Sequence, residues 1–137
     1  MNKIKVSALD HINMYVTDLH QSIKFYRNTF GFEIKEDGLK DETPWAIIGQ
    51  EGVAYLALYQ TEKLSKENKI NHWGFSLDHN ENIESTLDKL RSNSVEILYD
   101  EEPNNGVIPW PKSKSIYILD PDGYEIEISS DFGGNLK

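Results

Sequence analysis

The chain is predicted to fold as an α+β domain made of two paired β-α-β-β-β modules, whose strands form a curved mixed sheet around a cup-shaped site. His11 and His72 support this prediction, because each opens a run typical of a strand. Each run precedes a stretch with helical periodicity and then a Glu-Ile pair, at 33–34 and 96–97. The histidines lie 61 residues apart and the Glu-Ile pairs 63 apart, so the second copy has two extra residues between them. We therefore expect a single domain over residues 1–137, with repeats at 9–60 and 70–130.

The elements of the first repeat follow from the spacing of its apolar residues. Residues 10–16 alternate between apolar and polar side chains, as in a strand with one buried face. The polar face of this strand carries His11, Asn13 and Tyr15. Helical periodicity then predicts a helix from Leu19 to Phe30, capped by Thr17 or Asp18 and ended by Gly31. Strands are expected at 32–35, 45–49 and 53–59, and the charged segment 61–69 is expected to link the repeats.

The second repeat shows the same order of elements. Residues 72–77 alternate like a strand, with His72, Gly74 and Ser76 on one face. Apolar residues at 83, 87 and 90 predict a helix, and strands are expected at 95–99, 115–119 and 124–129. The last two strands are joined by Asp120-Pro-Asp-Gly123, whose proline and glycine favour a tight turn. The proline-rich segment 100–114 is expected to be an irregular loop, and 131–137 a frayed tail.

Composition excludes several classes of function. The formal net charge is −9, with 23 acidic and 14 basic residues. This charge disfavours nucleic acid and anionic membranes as partners, because both are bound by clustered Lys and Arg. The chain has no cysteine, so it offers no thiol nucleophile, disulfide or thiolate ligand. No segment is apolar enough for a signal peptide or a membrane span, and a cytoplasmic location is expected.

Three motifs resemble those of the vicinal oxygen chelate superfamily, and the resemblance covers nearly the whole chain. They are Leu9-Asp-His11-Ile, Asn71-His72-Trp-Gly-Phe75 and Asp120-Pro-Asp-Gly-Tyr-Glu-Ile-Glu127. This superfamily includes glyoxalase I, methylmalonyl-CoA epimerase, extradiol dioxygenases, and fosfomycin and bleomycin resistance proteins. The resemblance implies a fold like that of the glyoxalase, bleomycin resistance and dihydroxybiphenyl dioxygenase proteins.

The resemblance also implies a metal site. The metal-dependent members hold a divalent ion with a histidine in the first strand of each repeat and an acid in the last. His11, His72 and Glu127 match three of these positions, whereas the fourth falls at Ala57, where no acid stands. Two histidines and one carboxylate leave coordination positions open and suit Fe, Mn, Zn or Ni. The resemblance therefore favours a metal-dependent dioxygenase or transferase on a small oxygen-rich substrate over an isomerase of the glyoxalase I type.

Other residues are candidates for supporting roles in this site. Glu127 and Tyr15 are expected to be catalytic groups, and Asn13, Trp45 and Trp110 are expected to contact the substrate. Trp110 lies in the proline-rich loop, where it either covers the site or anchors the loop. Glu125 shares a strand face with Glu127, so it becomes the ligand if the strand register is shifted by two residues.

Two alternative functions remain open, in addition to a duplicated scaffold that keeps the ligand residues without activity. The first is a metal-free protein that binds a drug, like the bleomycin resistance proteins, which are acidic homodimers with a groove for a cationic ligand. The second is a transferase like the fosfomycin resistance proteins, because Ser115-Ile-Tyr-Ile resembles their sequence. The segment from Ser129 to Gly134, however, lacks the basic residues that follow the ligand glutamate in that group. In each case the expected partners are a small molecule and a second copy of the chain.

Overall fold

The computed structural model describes residues 3–5, 9–51, 53–66, 70–78, 80–111 and 113–130. It contains two compact units, Met1–Asn68 and Lys69–Lys137. None of the helices among these residues combines the length and the apolar character that crossing a membrane requires. The tail predicted at 131–137 and residues 67–69 of the predicted linker lie outside the described residues.

The first unit is a four-stranded sheet with one helix. Its elements are β1 (Ile12–Val16), α1 (Leu19–Phe30), β2 (Glu33–Lys40), β3 (Thr43–Gln50) and β4 (Val53–Gln60). The strand order is β1-β4-β3-β2, in which β1 and β4 are parallel and the other pairs antiparallel. The parallel pair places Asn13 beside Ala57 and Tyr15 beside Tyr59.

The ends of α1 have the predicted chemistry. Of the two predicted caps, Asp18 rather than Thr17 is the N-cap residue, directly before Leu19. Its carboxylate accepts a hydrogen bond from the Gln21 N–H at 3.0 Å. Gly31 ends the helix with φ 74°, a left-handed conformation that a residue without Cβ adopts at little cost. The helix buries Leu19 and Tyr26.

The second unit repeats this topology with one additional short strand. Its elements are β5 (His72–Ser76), α2 (Ile83–Ser92), β6 (Glu96–Ile97), β7 (Ile108–Pro109), β8 (Lys114–Leu119) and β9 (Glu125–Ser130). The strand order is β5-β9-β8-β6, β5 and β9 are parallel, and β7 pairs with β8. Two units with the same order confirm the predicted α+β class and the β-α-β-β-β modules.

The largest differences from the predicted element boundaries lie at three places. Strand β2 extends to Lys40 because a tight turn at Asp41 and Glu42 pairs it with β3. Both turn residues have positive φ, 52° and 67°, without the glycine that usually marks such a hairpin. Strand β6 has two residues where five were expected, and β7 lies inside the segment predicted to be irregular throughout.

Candidate metal centre

The candidate site is centred on Glu127 of β9, the strand that pairs with β5 on one side and with β8 on the other. Glu127 lies opposite Gly74 of β5 and opposite Tyr117 of β8. A Cβ atom at position 74 would lie 3.3 Å from the Glu127 carbonyl oxygen. The glycine therefore allows β5 and β9 to approach closely beside the carboxylate.

Hydroxyl groups hold one oxygen of the Glu127 carboxylate. Ser115 and Ser129 donate hydrogen bonds to Oε2 at 2.6 and 2.7 Å. Tyr117 lies opposite Glu127 on β8, and its phenol helps to lower the pKa of the carboxylate. The Glu127 side chain is only 16% exposed, so these donors replace most of the water that a carboxylate would otherwise bind.

The environment shifts the pKa values of Glu127 and Tyr117 in opposite directions. Burial raises the pKa of Glu127, but hydrogen bonds from Ser115, Ser129 and Tyr117, with the attraction of His72, outweigh burial and lower it overall. Burial raises the pKa of Tyr117, and the Glu127 carboxylate raises it further by its charge and hydrogen bond. The pair is therefore a carboxylate beside a neutral phenol at neutral pH.

His72 lies beside the free oxygen of Glu127. Its Nε2 atom is 3.5 Å from Glu127 Oε1, and its Nδ1 atom is 3.9 Å from Glu125 Oε2. The ring also packs edge-on to Tyr117, with centroids 6.2 Å apart. The imidazole thus lies between two carboxylates that share one face of β9.

The His72 and Glu127 atoms fit a divalent cation. Two donor atoms 3.5 Å apart can both bind one ion at about 2.1 Å. The other carboxylate oxygen is already fixed by two hydroxyls, which is the outer-shell support that metal-binding carboxylates commonly have. The described residues contain no group of three or more His, Cys, Asp and Glu side chains arranged to hold a metal ion. The second unit therefore brings together two potential ligand atoms, one from His72 and one from Glu127.

His11 directly precedes β1 in the first unit. Its Nδ1 atom is 2.7 Å from Asp10 Oδ2, and its side chain is 43% exposed. The Nε2 atom is thus the ring nitrogen not engaged by Asp10. This arrangement resembles that of His72, whose Nδ1 also faces a carboxylate.

The registers of the two sheets identify the equivalent of Glu127 in the first unit. Ala57 pairs with Asn13 in the parallel ladder of β1 and β4, as Glu127 pairs with Gly74 in that of β5 and β9. Ala57 is buried, and its side chain offers no ligand atom. Position 57, where the sequence has no acid, is therefore also the structural equivalent of Glu127.

The remaining candidates of the first unit share the sheet face of Ala57. Asn13 and Tyr15 are both exposed on β1, and Tyr15 pairs with Tyr59. Trp45 pairs with Tyr59 from the other side and stacks on it, with ring centroids 6.2 Å apart. Tyr15, Tyr59 and Trp45 thus form a row of aromatic side chains across three strands.

Trp110 of the second unit lies in the loop near the candidate site. Its indole lowers the pKa of Tyr117, the residue opposite Glu127 on the neighbouring strand, although burial and the Glu127 charge outweigh this effect. Its backbone N–H donates to the Ser113 carbonyl at 2.8 Å. Trp110 is nevertheless 48% exposed, and it borders a cavity of about 470 Å³ beside the start of α2. The backbone bond within the loop supports the loop-anchor alternative, and about half of the side chain is open to solvent.

Sequence reasoning missed three residues that support Glu127: Ser115, Tyr117 and Ser129. A signal for them was present, since the turn at 120–123 fixes the antiparallel register of β8 and β9. That register places Tyr117 opposite Glu127 and Ser115 opposite Ser129. Period-two alternation then brings all of them to one face.

Comparison with known proteins identifies the class to which this fold and site belong. Residues 8–128 match the model of the Glyoxalase/Bleomycin resistance protein/Dioxygenase superfamily. The chain therefore belongs to this superfamily, as the sequence motifs predicted.

Particular relatives within the superfamily include metallothiol transferases. The chain is 31% identical to the metallothiol transferase FosB of Staphylococcus epidermidis over 98% of its own length and 87% of that protein. It is 28% identical to a trivalent organoarsenical cleaving enzyme of a Bacillus species, covering 85% of this chain and 69% of that enzyme.

Solved structures of similar fold include a fosfomycin resistance protein. A mutant of FosX from Listeria monocytogenes, complexed with Mn(II) and 1S,2S-dihydroxypropylphosphonic acid, matches with a TM-score of 0.70 and 21% identity. That match covers 97% of this chain and all of that one. A glyoxalase/bleomycin resistance protein/dioxygenase domain from Frankia matches with a TM-score of 0.73 and 17% identity, covering 92% of this chain and 93% of that one. At these identities the structural matches establish the fold.

Proposed function

We propose that this chain is a divalent-metal-dependent enzyme that acts on a small oxygen-rich molecule, with His11, His72 and Glu127 as metal ligands. The observation that carries the proposal is the pair of His72 Nε2 and Glu127 Oε1, 3.5 Å apart, with the other carboxylate oxygen held by two serines. His11 is the matching histidine of the first repeat and supplies the third ligand.

In this proposal the ion acts as a Lewis acid that polarises a bound oxygen of the substrate. The protein's own residues hold the ligands and the substrate. Ser115 and Ser129 keep the Glu127 carboxylate ionised and oriented, and the neutral phenol of Tyr117 lies opposite it on β8. Tyr15, Asn13 and Trp45 line the polar face of the first sheet and contact the substrate.

The finer proposal is a transferase of the FosB kind, whose substrate carries a phosphonate. The FosB relatives are named for a metal and a thiol, and FosX was solved with Mn(II) and a phosphonic acid. Phosphonate oxygens are hard donors that suit a divalent ion with open coordination positions. Because Ala57 leaves the fourth position without an acid, transfer is favoured over isomerisation, which needs a further proton-transfer group there.

Organoarsenical cleavage is disfavoured by composition, although one relative has that activity. Trivalent arsenic is soft and pairs with thiolates, and this chain has no cysteine. Drug binding without metal, as in bleomycin resistance proteins, is the alternative, for which the net charge of −9 is suitable.

The test measures metal content and transfer activity on purified protein. The protein is stripped with a chelator, reconstituted in turn with Mn, Zn, Fe and Ni, and analysed for bound metal. We expect one ion per chain, retained in His20→Ala and lost in His11→Ala and His72→Ala. His20 is the matched control because it is an exposed histidine on α1. Loss of fosfomycin in the presence of a thiol and Mn(II) is then followed by NMR of phosphorus.

Two results would overturn parts of this proposal. Failure to bind any of the four metals, combined with tight binding of a cationic drug, would establish the binding-protein alternative. Stoichiometric metal without consumption of fosfomycin would retain the metal site and reject the phosphonate substrate. The homodimer and the cytoplasmic location remain part of the proposal, and sedimentation of the purified protein tests the former.

A further inference from the structure

Both candidate histidines direct the same ring nitrogen to a carboxylate. Asp10 Oδ2 lies 2.7 Å from His11 Nδ1, and Glu125 Oε2 lies 3.9 Å from His72 Nδ1. A carboxylate is an acceptor only, so it favours the neutral tautomer with hydrogen on Nδ1. That tautomer leaves the lone pair on Nε2, the nitrogen that then binds a metal.

The two repeats place this carboxylate at different sequence positions. In the first repeat it is the residue before the histidine, whereas Asn71 stands before His72. In the second repeat it comes from the neighbouring strand, because Glu125 pairs with His72 in the parallel ladder. A carboxylate from an unrelated position therefore faces Nδ1 in both repeats, within hydrogen-bonding distance at His11 and somewhat beyond it at His72.

The position equivalent to Glu125 in the first repeat has another role. Counting back two residues from Ala57, as Glu125 precedes Glu127, gives Tyr55, which stacks on Phe32 at a centroid distance of 5.1 Å. Position 55, the equivalent of Glu125 in the first repeat, therefore holds no carboxylate, and the carboxylate beside His11 comes from Asp10 instead.

The surroundings of His72 indicate which carboxylate takes the ring hydrogen. Glu127 already accepts hydrogen bonds from Ser115 and Ser129, both at Oε2. Among the described residues, Glu125 has no side-chain partner other than His72, although the 3.9 Å between Oε2 and Nδ1 is longer than a hydrogen bond. A hydrogen on Nδ1 serves the carboxylate that has no other donor, and Nε2 remains 3.5 Å from Glu127 Oε1, the oxygen with which it would share an ion.

We propose that Asp10 and Glu125 are positioning residues, which fix His11 and His72 as Nδ1–H tautomers so that Nε2 of each ring is the metal ligand. The role of Nε2 as a metal ligand rests on the proposed function, whereas the Nδ1–H tautomers are also expected in the metal-free protein. The side chains act through the imidazoles and do not contact the ion.

The experiment uses four variants and two readouts. Asp10→Ala and Glu125→Ala remove the acceptor, whereas Asp10→Asn and Glu125→Gln remove the charge but keep an oxygen that accepts the same hydrogen. Asp88→Ala, which removes an exposed carboxylate on α2, is the control for net charge.

The first readout is the tautomer of each ring in the metal-free protein. Long-range proton–nitrogen NMR of histidine-labelled protein at pH 8 distinguishes the two neutral tautomers, and single histidine variants assign the signals. We expect Nδ1–H for His11 and His72 in the wild type, the Asn and Gln variants and the control. Each Ala variant should shift its own histidine towards Nε2–H and leave the other unchanged.

The second readout is affinity for Mn(II), measured by calorimetry on the full chain. The Ala variants should bind about 10-fold more weakly, at the lower end of the effect typical of such outer-shell partners, and the amide variants should be close to the control. An Nε2–H tautomer in the wild type, or Ala variants that bind like Asp88→Ala, would overturn the inference. Nδ1–H tautomers in a protein that binds no metal would support the tautomer assignment and reject the proposed function instead.

Discussion

Removing one hydroxyl beside Glu127 should destabilise the metal-free protein more than removing a buried hydroxyl elsewhere. Ser115 is fully buried, and it donates to Glu127 Oε2 at 2.6 Å. A hydrogen bond to a charged group contributes about 1.5–3 kcal/mol to the free energy of unfolding. Because Ser129 still donates to the same carboxylate oxygen in Ser115→Ala, we expect a loss near the lower end, about 2 kcal/mol.

The chain offers a matched control for this substitution. Ser22 is as buried as Ser115, but its hydroxyl has no hydrogen-bond partner. Ser22→Ala makes the same chemical change without removing a bond, so it should be neutral or stabilising. Both variants are unfolded with urea at pH 7 in the presence of a chelator, and the free energies are compared.

The comparison has a clear refuting result. A loss of about 2 kcal/mol corresponds to a melting temperature lower by roughly 8 °C in a domain of this size. If Ser115→Ala and Ser22→Ala have equal unfolding free energies, the hydroxyl does not stabilise the Glu127 carboxylate. The outer support that we assign to the metal centre would then be wrong.

Three further predictions concern packing, ionisation and the first helix. Gly74→Val places a side chain against the Glu127 backbone, because a Cβ at position 74 would lie 3.3 Å from the Glu127 carbonyl oxygen. We expect this variant to lose about 1–3 kcal/mol of unfolding free energy, measured by urea titration. An unchanged urea midpoint would contradict the close approach of β5 and β9. Burial and two nearby aspartates raise the pKa of Tyr124 to about 12, so one phenol should ionise near pH 12 in an absorbance titration and be missing in Tyr124→Phe. Since a tyrosine in the unfolded chain ionises near pH 10, the neutral Tyr124 contributes its full stability below about pH 10 and loses it as pH rises through 12; wild type and Tyr124→Phe should therefore differ in pH dependence only in that window. Asp18→Ala removes the N-cap of α1 and should cost about 1 kcal/mol, measured by thermal unfolding, whereas Asp18→Asn should retain most of it.

Alternation along single strands was enough to predict which side chains share a sheet face. His72, Glu125 and Glu127 lie together because β5 and β9 both obey the period of two, and the parallel pair preserves it. The turn that begins at Asp120 ends β8 and starts β9, which fixes the antiparallel register. Local signals therefore specified the arrangement of this half of the candidate site.

The parts that could not be predicted depend on backbone conformations that the sequence does not mark. Asp41 and Glu42 adopt left-handed conformations without glycine, and so do Tyr99 and Asn105 in the long loop of the second unit. Such conformations are uncommon for these side chains and are stabilised by surrounding contacts rather than by local preference. The path of the loop, and with it the position of Trp110, therefore requires the tertiary structure.

The difference between the two repeats bears on the class of reaction. Each parallel ladder pairs a residue of the first strand with one of the last, Asn13 with Ala57 and Gly74 with Glu127. In the second ladder a glycine, Gly74, pairs with an acid, Glu127. In the first ladder the position equivalent to Glu127 is the buried Ala57. An ion held as proposed would have Glu127 as its carboxylate ligand and no acid at position 57 to move a proton between substrate carbons. Chemistry that needs only polarisation of a substrate oxygen, followed by attack of an external nucleophile, places no demand on position 57, and this is the chemistry that the repeat favours.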